Sequence, residues 1–261
     1  MPLTDYQAGV ALLLSANRTF DSYLAGGAAI LIEPNTTRIS RDLDYFHDSE
    51  TRVAEAFAAD RRSLEVQGYT YEVDLNQPGY IRAVVSKDGE ATKVEWARDS
   101  AWRFMPTIRD KRVGFILHPV DLAVNKILAL AGRDEARDVV DAHYLHRNVL
   151  TLGALCWAAC GKDPGFTPLS LLELLRRRGR IREEDLARLD LVATLDLRAL
   201  KQEWLEALDS VEVFVASRPP DEIGCLYYSA SRRAFVDPRL ADDSTPHHGR
   251  QGGVLPRLAD S

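Results

Sequence analysis

The chain has 261 residues, 46% hydrophobic and 28% charged, a composition of soluble globular proteins that excludes collagen-like, disordered and disulfide-dense classes. Its 33 Lys and Arg against 39 Asp and Glu leave a net charge of −6, which excludes a uniformly basic nucleic-acid coat, because phosphate binding needs clustered cations. Only three cysteines occur, Cys156, Cys160 and Cys225, no apolar run reaches the ~18–20 residues of a membrane span, and Met1–Asp5 lacks the basic and apolar stretches of a signal peptide; a reducing cytoplasm is the expected location.

In chain order, Thr4 or Asp5 caps a helix running to about Phe20, with Val10, Leu13 and Leu14 at helical spacing. Tyr23–Ala25 then meets Gly26-Gly27, and Ala28–Ile32 reads as a short apolar helix stopped before Pro34. Arg41–Phe46 alternates as a strand, with Asp42, Asp44 and Phe46 on one face and Leu43 and Tyr45 on the other. Ser49–Val66 is a second helix. After Gly68 the pattern turns to strands over Tyr69–Leu75, Tyr80–Ser86 and Ala91–Ala97. The breaks at Asn76–Gly79 and Lys87–Glu90 are turn chemistry, which predicts an antiparallel meander. A further short strand is expected over Arg112–Ile116.

From His118 the pattern is helical: Pro119–Ala131, Glu135–Arg147, Leu152–Cys160, Thr167–Arg178, Glu183–Asp190 and Leu197–Ser217. Pro238–Ser261 has little to bury and reads as a flexible tail. The expected architecture is α+β: a mixed or antiparallel sheet with flanking helices over residues 1–117, an all-helical domain over 118–237, and the tail over 238–261.

The chemistry concentrates in Asp42-Leu43-Asp44. On a strand, residues i and i+2 point to one face, so the two carboxylates project together and repel unless a cation sits between them. Hard carboxylate oxygens suit Mg²⁺ or Mn²⁺, ions that also take oxygens from a substrate phosphate. A bare Asp-x-Asp is also simply the polar face of an edge strand. Two nearby features favour the chemical reading. Gly26-Gly27 lets backbone approach a phosphate closely, and Glu95, in Thr92-Lys93-Val94-Glu95-Trp96, is placed to add a third carboxylate; Glu72 or Asp74 on the preceding hairpin are the alternatives.

This series resembles the DNA polymerase β-like nucleotidyltransferase superfamily. Tyr23-Leu24-Ala25-Gly26-Gly27-Ala28-Ala29, together with Arg38-Ile39-Ser40-Arg41-Asp42-Leu43-Asp44-Tyr45-Phe46, is similar to its abortive-infection AbiEii-type branch. So are the downstream Lys126 and Arg133-Asp134-Glu135-Ala136-Arg137-Asp138-Val139-Val140-Asp141. The match spans roughly residues 20–145. Ala28 departs from it, standing where the family often carries a small hydroxyl residue.

The resemblance implies a nucleotidyltransferase fold in which Asp42, Asp44 and Glu95 hold two divalent ions, Mg²⁺ or Mn²⁺, around an NTP. Gly26, Gly27 and Ser40 would hold the triphosphate. Lys126 is the only cation in a helix that is apolar almost all round, so it either snorkels to solvent or answers a specific negative charge; the resemblance assigns it to phosphate. Arg133 and Arg137 are further phosphate candidates, and Asp141 would orient Lys126 or an incoming hydroxyl. The implied role is the toxin of a bacterial toxin–antitoxin system, transferring a nucleotide to an RNA acceptor such as tRNA, with an antitoxin protein as partner and no membrane. A small-molecule or protein acceptor stays open, as does nucleotide binding without turnover. Arg176-Arg177-Arg178-Gly179-Arg180 reads as a helix end with dipole-matched cations or as an RNA-backbone contact.

Overall fold

The computed structural model of the chain describes residues 3–32 and 36–256. Helix α1 (Asp5–Leu14) starts at a capping box, in which the Thr4 hydroxyl accepts the Gln7 N–H and the Gln7 side chain accepts the Thr4 N–H. It stops short of the expected Phe20. Ser15–Asn17 tighten into a 3-10 turn, and the Asn17 amide is drawn to Asp60 and Ser63. Then come β1 (Ser22–Ala25), α2 (Gly26–Ile30) and β2 (Asp42–His47). Pro34, the expected stop after α2, lies outside the described residues. Helix α3 (Glu50–Val66) is capped by the Ser49 hydroxyl, which accepts the Arg52 N–H.

The expected meander forms as β3 (Thr70–Gln77), β4 (Tyr80–Lys87) and β5 (Glu90–Arg98). Asp88 and Gly89 both take positive φ between β4 and β5, as tight hairpin turns favour. After β6 (Trp102–Arg103) come β7 (Ile108–Asp110) and β8 (Gly114–Ile116); the expected strand at Arg112–Ile116 is thus the second arm of a hairpin. The chain divides into two units, Met1–Ala101 with Pro106–His118 and Trp102–Met105 with Pro119–Ser261.

In the first unit the strands form one mixed sheet in the order β3-β4-β5-β2-β1-β8-β7. The β2–β5 and β1–β8 pairs are parallel and the others antiparallel. The face packed against helix is closed by Leu43, Tyr45, Val94 and Trp96, all fully buried. Their neighbours Asp42, Asp44, Lys93 and Glu95 alternate to the opposite, half-open face. The sequence alternation of β2 therefore holds in three dimensions.

The second unit carries α4 (Pro119–Gly132), α5 (Ala136–Asn148), α6 (Leu152–Lys162), α7 (Pro168–Arg178), α8 (Glu183–Leu186) and α9 (Leu197–Ala216). Asp121 in the first turn of α4 accepts the N–H groups of Phe104 and Met105 at 2.7 and 3.0 Å; its burial still pushes the carboxyl up to about 6. In the basic run, Arg176 meets Glu212 at 2.9 Å and Asp209 at 3.6 Å, and Arg177 lies 3.8 Å from Glu173. Those two arginines are thus matched by the chain's own acids.

Two expectations are corrected here. The C-terminal part is not all-helical, because β9 (Cys225–Ser229), β10 (Ala234–Val236) and β11 (Ser244–His248) form a sheet in the order β10-β9-β11. Nor is the stretch from Pro238 to residue 256 a featureless tail: β12 (Arg250–Gln251) pairs with β6. The anchor is His247, whose ring nitrogen lies 3.0 Å from the Phe104 carbonyl and whose ring packs on Phe104 and Phe235. Residues 257–261 lie outside the described residues. Among the described residues no helix is long and apolar enough to cross a membrane.

Candidate active site

The acidic face is built by strand register. Asp42 stands opposite Lys93 and Asp44 opposite Glu95 across the parallel β2–β5 pair, so all four side chains share one face. The Lys93 ammonium lies 3.0 Å from Asp42 Oδ2 and 3.6 Å from Glu95 Oε1. Its side chain is 33% exposed, against 15% for Asp42 and 20% for Glu95, so the group sits in a recess open to solvent. Tyr80, on β4, hydrogen-bonds Glu95; burial first, and that bond second, push the phenol above its usual range.

The alternative acids do not reach this face. Glu72 and Asp74 lie on β3, three strand positions from β2, roughly 14 Å at the usual strand spacing, and Asp74 is taken by Arg82 at 2.9 Å. His47 ends β2 fully buried. Burial, with Arg18 and Arg52 nearby, holds its imidazole down at about 3, so it stays neutral and apart from the open face.

Gly26 and Gly27 are packed against the functional side chains themselves. Gly26 has φ +59°, and a Cβ there would meet Asp44 Oδ2 at 2.0 Å and Asp44 Cβ at 2.9 Å. A Cβ on Gly27 would meet Arg38 Nη2 at 2.8 Å and Ser40 Oγ at 3.3 Å. Gly26→Ala is therefore expected to cost about 1–2 kcal/mol for the left-handed backbone alone, with the Asp44 clash added. Gly27→Ala, which meets chiefly the end of a flexible arginine, should cost less. Urea midpoints of the two variants check the order.

Ser40 is buried, and its hydroxyl donates to the Asp42 carbonyl at 3.0 Å. Its own carbonyl accepts from Gln7 Nε2 at 3.0 Å. Its one hydroxyl proton is thus spent on shaping the turn into β2. The sequence assigns no role to Arg38 or Lys93, although both stand in the motifs around the acidic strand pair. Arg38 is 5% exposed and lies over Gly27 beside Ser40, a cation next to the glycine pair.

In the second unit Lys126 neither snorkels nor points free. It is 6% exposed, with Nζ at 2.6 Å from Asp138 Oδ1 and 3.0 Å from Asp141 Oδ2. Both carboxylates are fully buried. Arg133, half-exposed, contacts Asp138 at 2.6 Å, and Arg137 lies 3.9 Å from Glu135. Burial pushes the Asp138 carboxyl up, and the Lys126 ammonium with the Arg133 guanidinium more than offsets it, leaving about 2.

Three hard carboxylates on rigid central strands are a donor set that fits Mg²⁺ or Mn²⁺. As the side chains stand, however, no group of three or more His, Cys, Asp or Glu among the described residues converges as a metal cage. Lys93 places one positive charge of the chain's own against Asp42 and Glu95, and Arg82 stands opposite Glu95 on β4.

No protein-family model matches the chain, and no curated protein sequence matches it. Among solved structures it is similar to MenT4, a nucleotidyltransferase toxin from Mycobacterium tuberculosis H37Rv, with 16% identity over 83% of each chain and a TM-score of 0.55. It also matches JHP933 from Helicobacter pylori, with 16% identity over 82% of this chain and 97% of that one, at a TM-score of 0.49. The sheet order, the half-open acidic face of β2 and β5, and the likeness to MenT4 together give this chain a nucleotidyltransferase fold.

Proposed function

We propose that the chain is a nucleotidyltransferase, moving a nucleotide from an NTP to a hydroxyl acceptor. The acceptor is RNA, tRNA in particular, and the chain acts in the cytoplasm as the toxin of a bacterial toxin–antitoxin pair, with an antitoxin protein as its partner. The observation that carries the reading is the in-register placement of Asp44 beside Glu95, with Asp42 on the same face and Gly26 closed against Asp44. The name of MenT4 as a nucleotidyltransferase toxin supports the activity and the role.

Asp42 and Asp44 would hold Mg²⁺ or Mn²⁺, with Glu95 as the third ligand. Such ions, when bound, neutralise the charge that develops on attacking and leaving oxygens in phosphoryl chemistry. The remaining work falls to the chain. Gly26 and Gly27 let the triphosphate approach backbone, Arg38 supplies a fixed cation beside them, and Ser40 shapes the turn that aims Asp42. Glu95 takes the proton of the acceptor hydroxyl at its carboxylate, and Tyr80 orients it. Lys126, Arg133, Arg137 and Asp141 belong to the reading as a charged group of the second unit. A phosphate role for Lys126 requires its release from Asp138 or Asp141.

The test uses each labelled NTP with Mg²⁺ and total bacterial tRNA, and Asp42→Ala as control. Label on the tRNA 3′ end, lost in the control, is the expected result. Label on a small molecule or on the protein, with tRNA untouched by all four nucleotides, would keep the activity and overturn the acceptor. Binding is read separately: an NTP–Mg²⁺ complex at a hundredfold excess over Kd should stabilise the wild type by about 2.7 kcal/mol. Asp44→Asn should lose that stabilisation while staying folded without ligand.

A further inference from the structure

The basic run at 176–180 ends differently from how it begins. Arg176 and Arg177 meet acids of the chain, whereas Arg180 stands on the rim of a cavity in the second unit. That cavity measures about 670 Å³, within the roughly 300–1,000 Å³ of sites that take small organic ligands. One wall is a face of α9, where Leu200, Lys201, Trp204 and Leu205 are helical neighbours. The other is residues 179–182, which connect α7 to α8, and Asp134 and Ala136 at the start of α5 complete the lining.

The wall is apolar and the rim is charged. Ile181, Leu200 and Trp204 are buried, but Leu205 lines the same cavity 60% exposed, an apolar surface that a ligand's apolar body would cover. Trp204 Nε1 is packed against Gly179, where a Cβ would come within 2.3 Å of it, and among the described residues it finds no acceptor. Buried donors without an acceptor are few in folded proteins, and an oxygen entering beside Gly179 would satisfy this one. Five charged side chains line the cavity. Arg182 and Asp185 answer each other at 3.3 Å. Arg180 and Lys201 are exposed and make no ion pair among the described residues; Asp134 is the one remaining acid of the lining. Two cations are thus set for an anion, and one carboxylate is left to accept from hydroxyl or amino groups.

We propose that this cavity is a second ligand site, one that takes a nucleoside phosphate. The phosphate lies on Arg180 and Lys201, the base covers Leu205 and the apolar wall, and a ribose hydroxyl or base amine donates to Asp134. A free nucleotide and one residue of an RNA strand bring the same chemistry, and the experiment separates them. The site lies wholly in the second unit, and the proposal does not rest on the acidic face of the first.

Binding is measured by calorimetry on the full chain in EDTA, which silences metal-dependent binding at Asp42 and Asp44. The probes are the four nucleoside monophosphates, adenosine, inorganic phosphate and a short single-stranded RNA. A monophosphate should bind the wild type more tightly than adenosine or phosphate does. Arg180→Gln and Lys201→Gln should each weaken it roughly tenfold, the size of one hydrogen bond to a charged group. Both residues are exposed, so both variants should melt with the wild type. Arg177→Gln, which removes an arginine already answered by Glu173, should bind as the wild type does, and so should Asp44→Asn. RNA that binds more tightly than the monophosphate, and weakens with the same two variants, identifies an RNA residue as the occupant; RNA that binds more weakly identifies the free nucleotide. No binding of any nucleoside phosphate, or binding indifferent to Arg180→Gln and Lys201→Gln, would overturn the proposal. Loss of binding in Asp44→Asn would overturn it by placing the nucleotide on the acidic face. Phosphate bound as tightly as the monophosphate would reduce the site to an anion contact and overturn it too. None of these outcomes decides the nucleotidyltransferase reading, which the labelled-NTP assay tests.

Discussion

Lys126→Met should destabilise the protein by about 3–5 kcal/mol, the usual cost of removing one partner of a buried ion pair. Methionine matches the alkyl stem, so little packing is lost. What is lost is the ammonium that answers Asp138 at 2.6 Å and Asp141 at 3.0 Å, two carboxylates with no exposure of their own. Arg133 still reaches Asp138, while Asp141 loses the ammonium 3.0 Å from its Oδ2. Lys126→Met/Asp141→Asn should therefore recover part of the loss. The pH dependence gives an independent check. Asp138 titrates at about 2 in the folded chain, below its ordinary value of 3.8. The stability it contributes is thus present above about pH 4 and is lost as pH falls towards 2. Lys126→Met gives up much of that contribution, so the difference between variant and wild type should narrow across this window. Urea unfolding at pH 7, 4 and 2.5 measures all of this. A variant as stable as the wild type at pH 7 would show that the ammonium does not hold these carboxylates. The practical consequence concerns activity: a dead Lys126 variant says nothing about phosphate binding until its fold has been checked.

What could be seen in the sequence depended on range. The pairing of Asp42 with Asp44 is a property of one strand, and period-two alternation shows it directly. The helix caps at Thr4 and Ser49 and the break at Asp88-Gly89 are equally local. Glu95 was within reach because strand order in a meander limits where it can sit. Lys93 was not, although it is two residues away: its partnership with Asp42 is set by the parallel register of β2 and β5, and no local pattern encodes that. Lys126 is an intermediate case: the resemblance pairs it with Asp141, but its nearer partner, Asp138 on α5, comes to it only through packing. Of the missed strands, β6, β7, β10 and β12 are two or three residues long, too short for alternation to register; β9 and β11 have five residues each, and β9 is buried at four of its five positions, so it shows no alternation. The polar run around His247 looked like a tail because its burial comes from Phe104 and Phe235, far away in the chain.

The charge beneath the acidic face makes the second large prediction. Asp60, on α3, and Arg18 form an ion pair with no side-chain exposure on either partner. Asp60 also accepts from Asn17 Nδ2 at 2.8 Å and Trp96 Nε1 at 2.7 Å, and the Arg18 guanidinium lies 4.4 Å over the Tyr45 ring. Asp60→Ala would strand a buried cation, an indole N–H and an amide at once, so a loss of about 3–5 kcal/mol is expected. Asp60→Asn keeps the shape and one acceptor and should cost less. If the loss comes from the stranded cation rather than from the cavity, removing both charges will cost less than removing one. Arg18→Met/Asp60→Leu should then be more stable than Asp60→Ala, and a double-mutant cycle should return a coupling of at least about 2 kcal/mol. An Asp60→Ala chain that melts with the wild type would refute the account. The cycle also bears on function. Tyr45 and Trp96 alternate with Asp44 and Glu95 along β2 and β5, so the buried network grips the same two strands from behind. If it sets their register, the folded double variant should bind NTP–Mg²⁺ more weakly than wild type although no residue of the open face has changed. If binding is unaltered, the network stabilises the unit and hydrogen bonding between β2 and β5 alone holds the carboxylates in place.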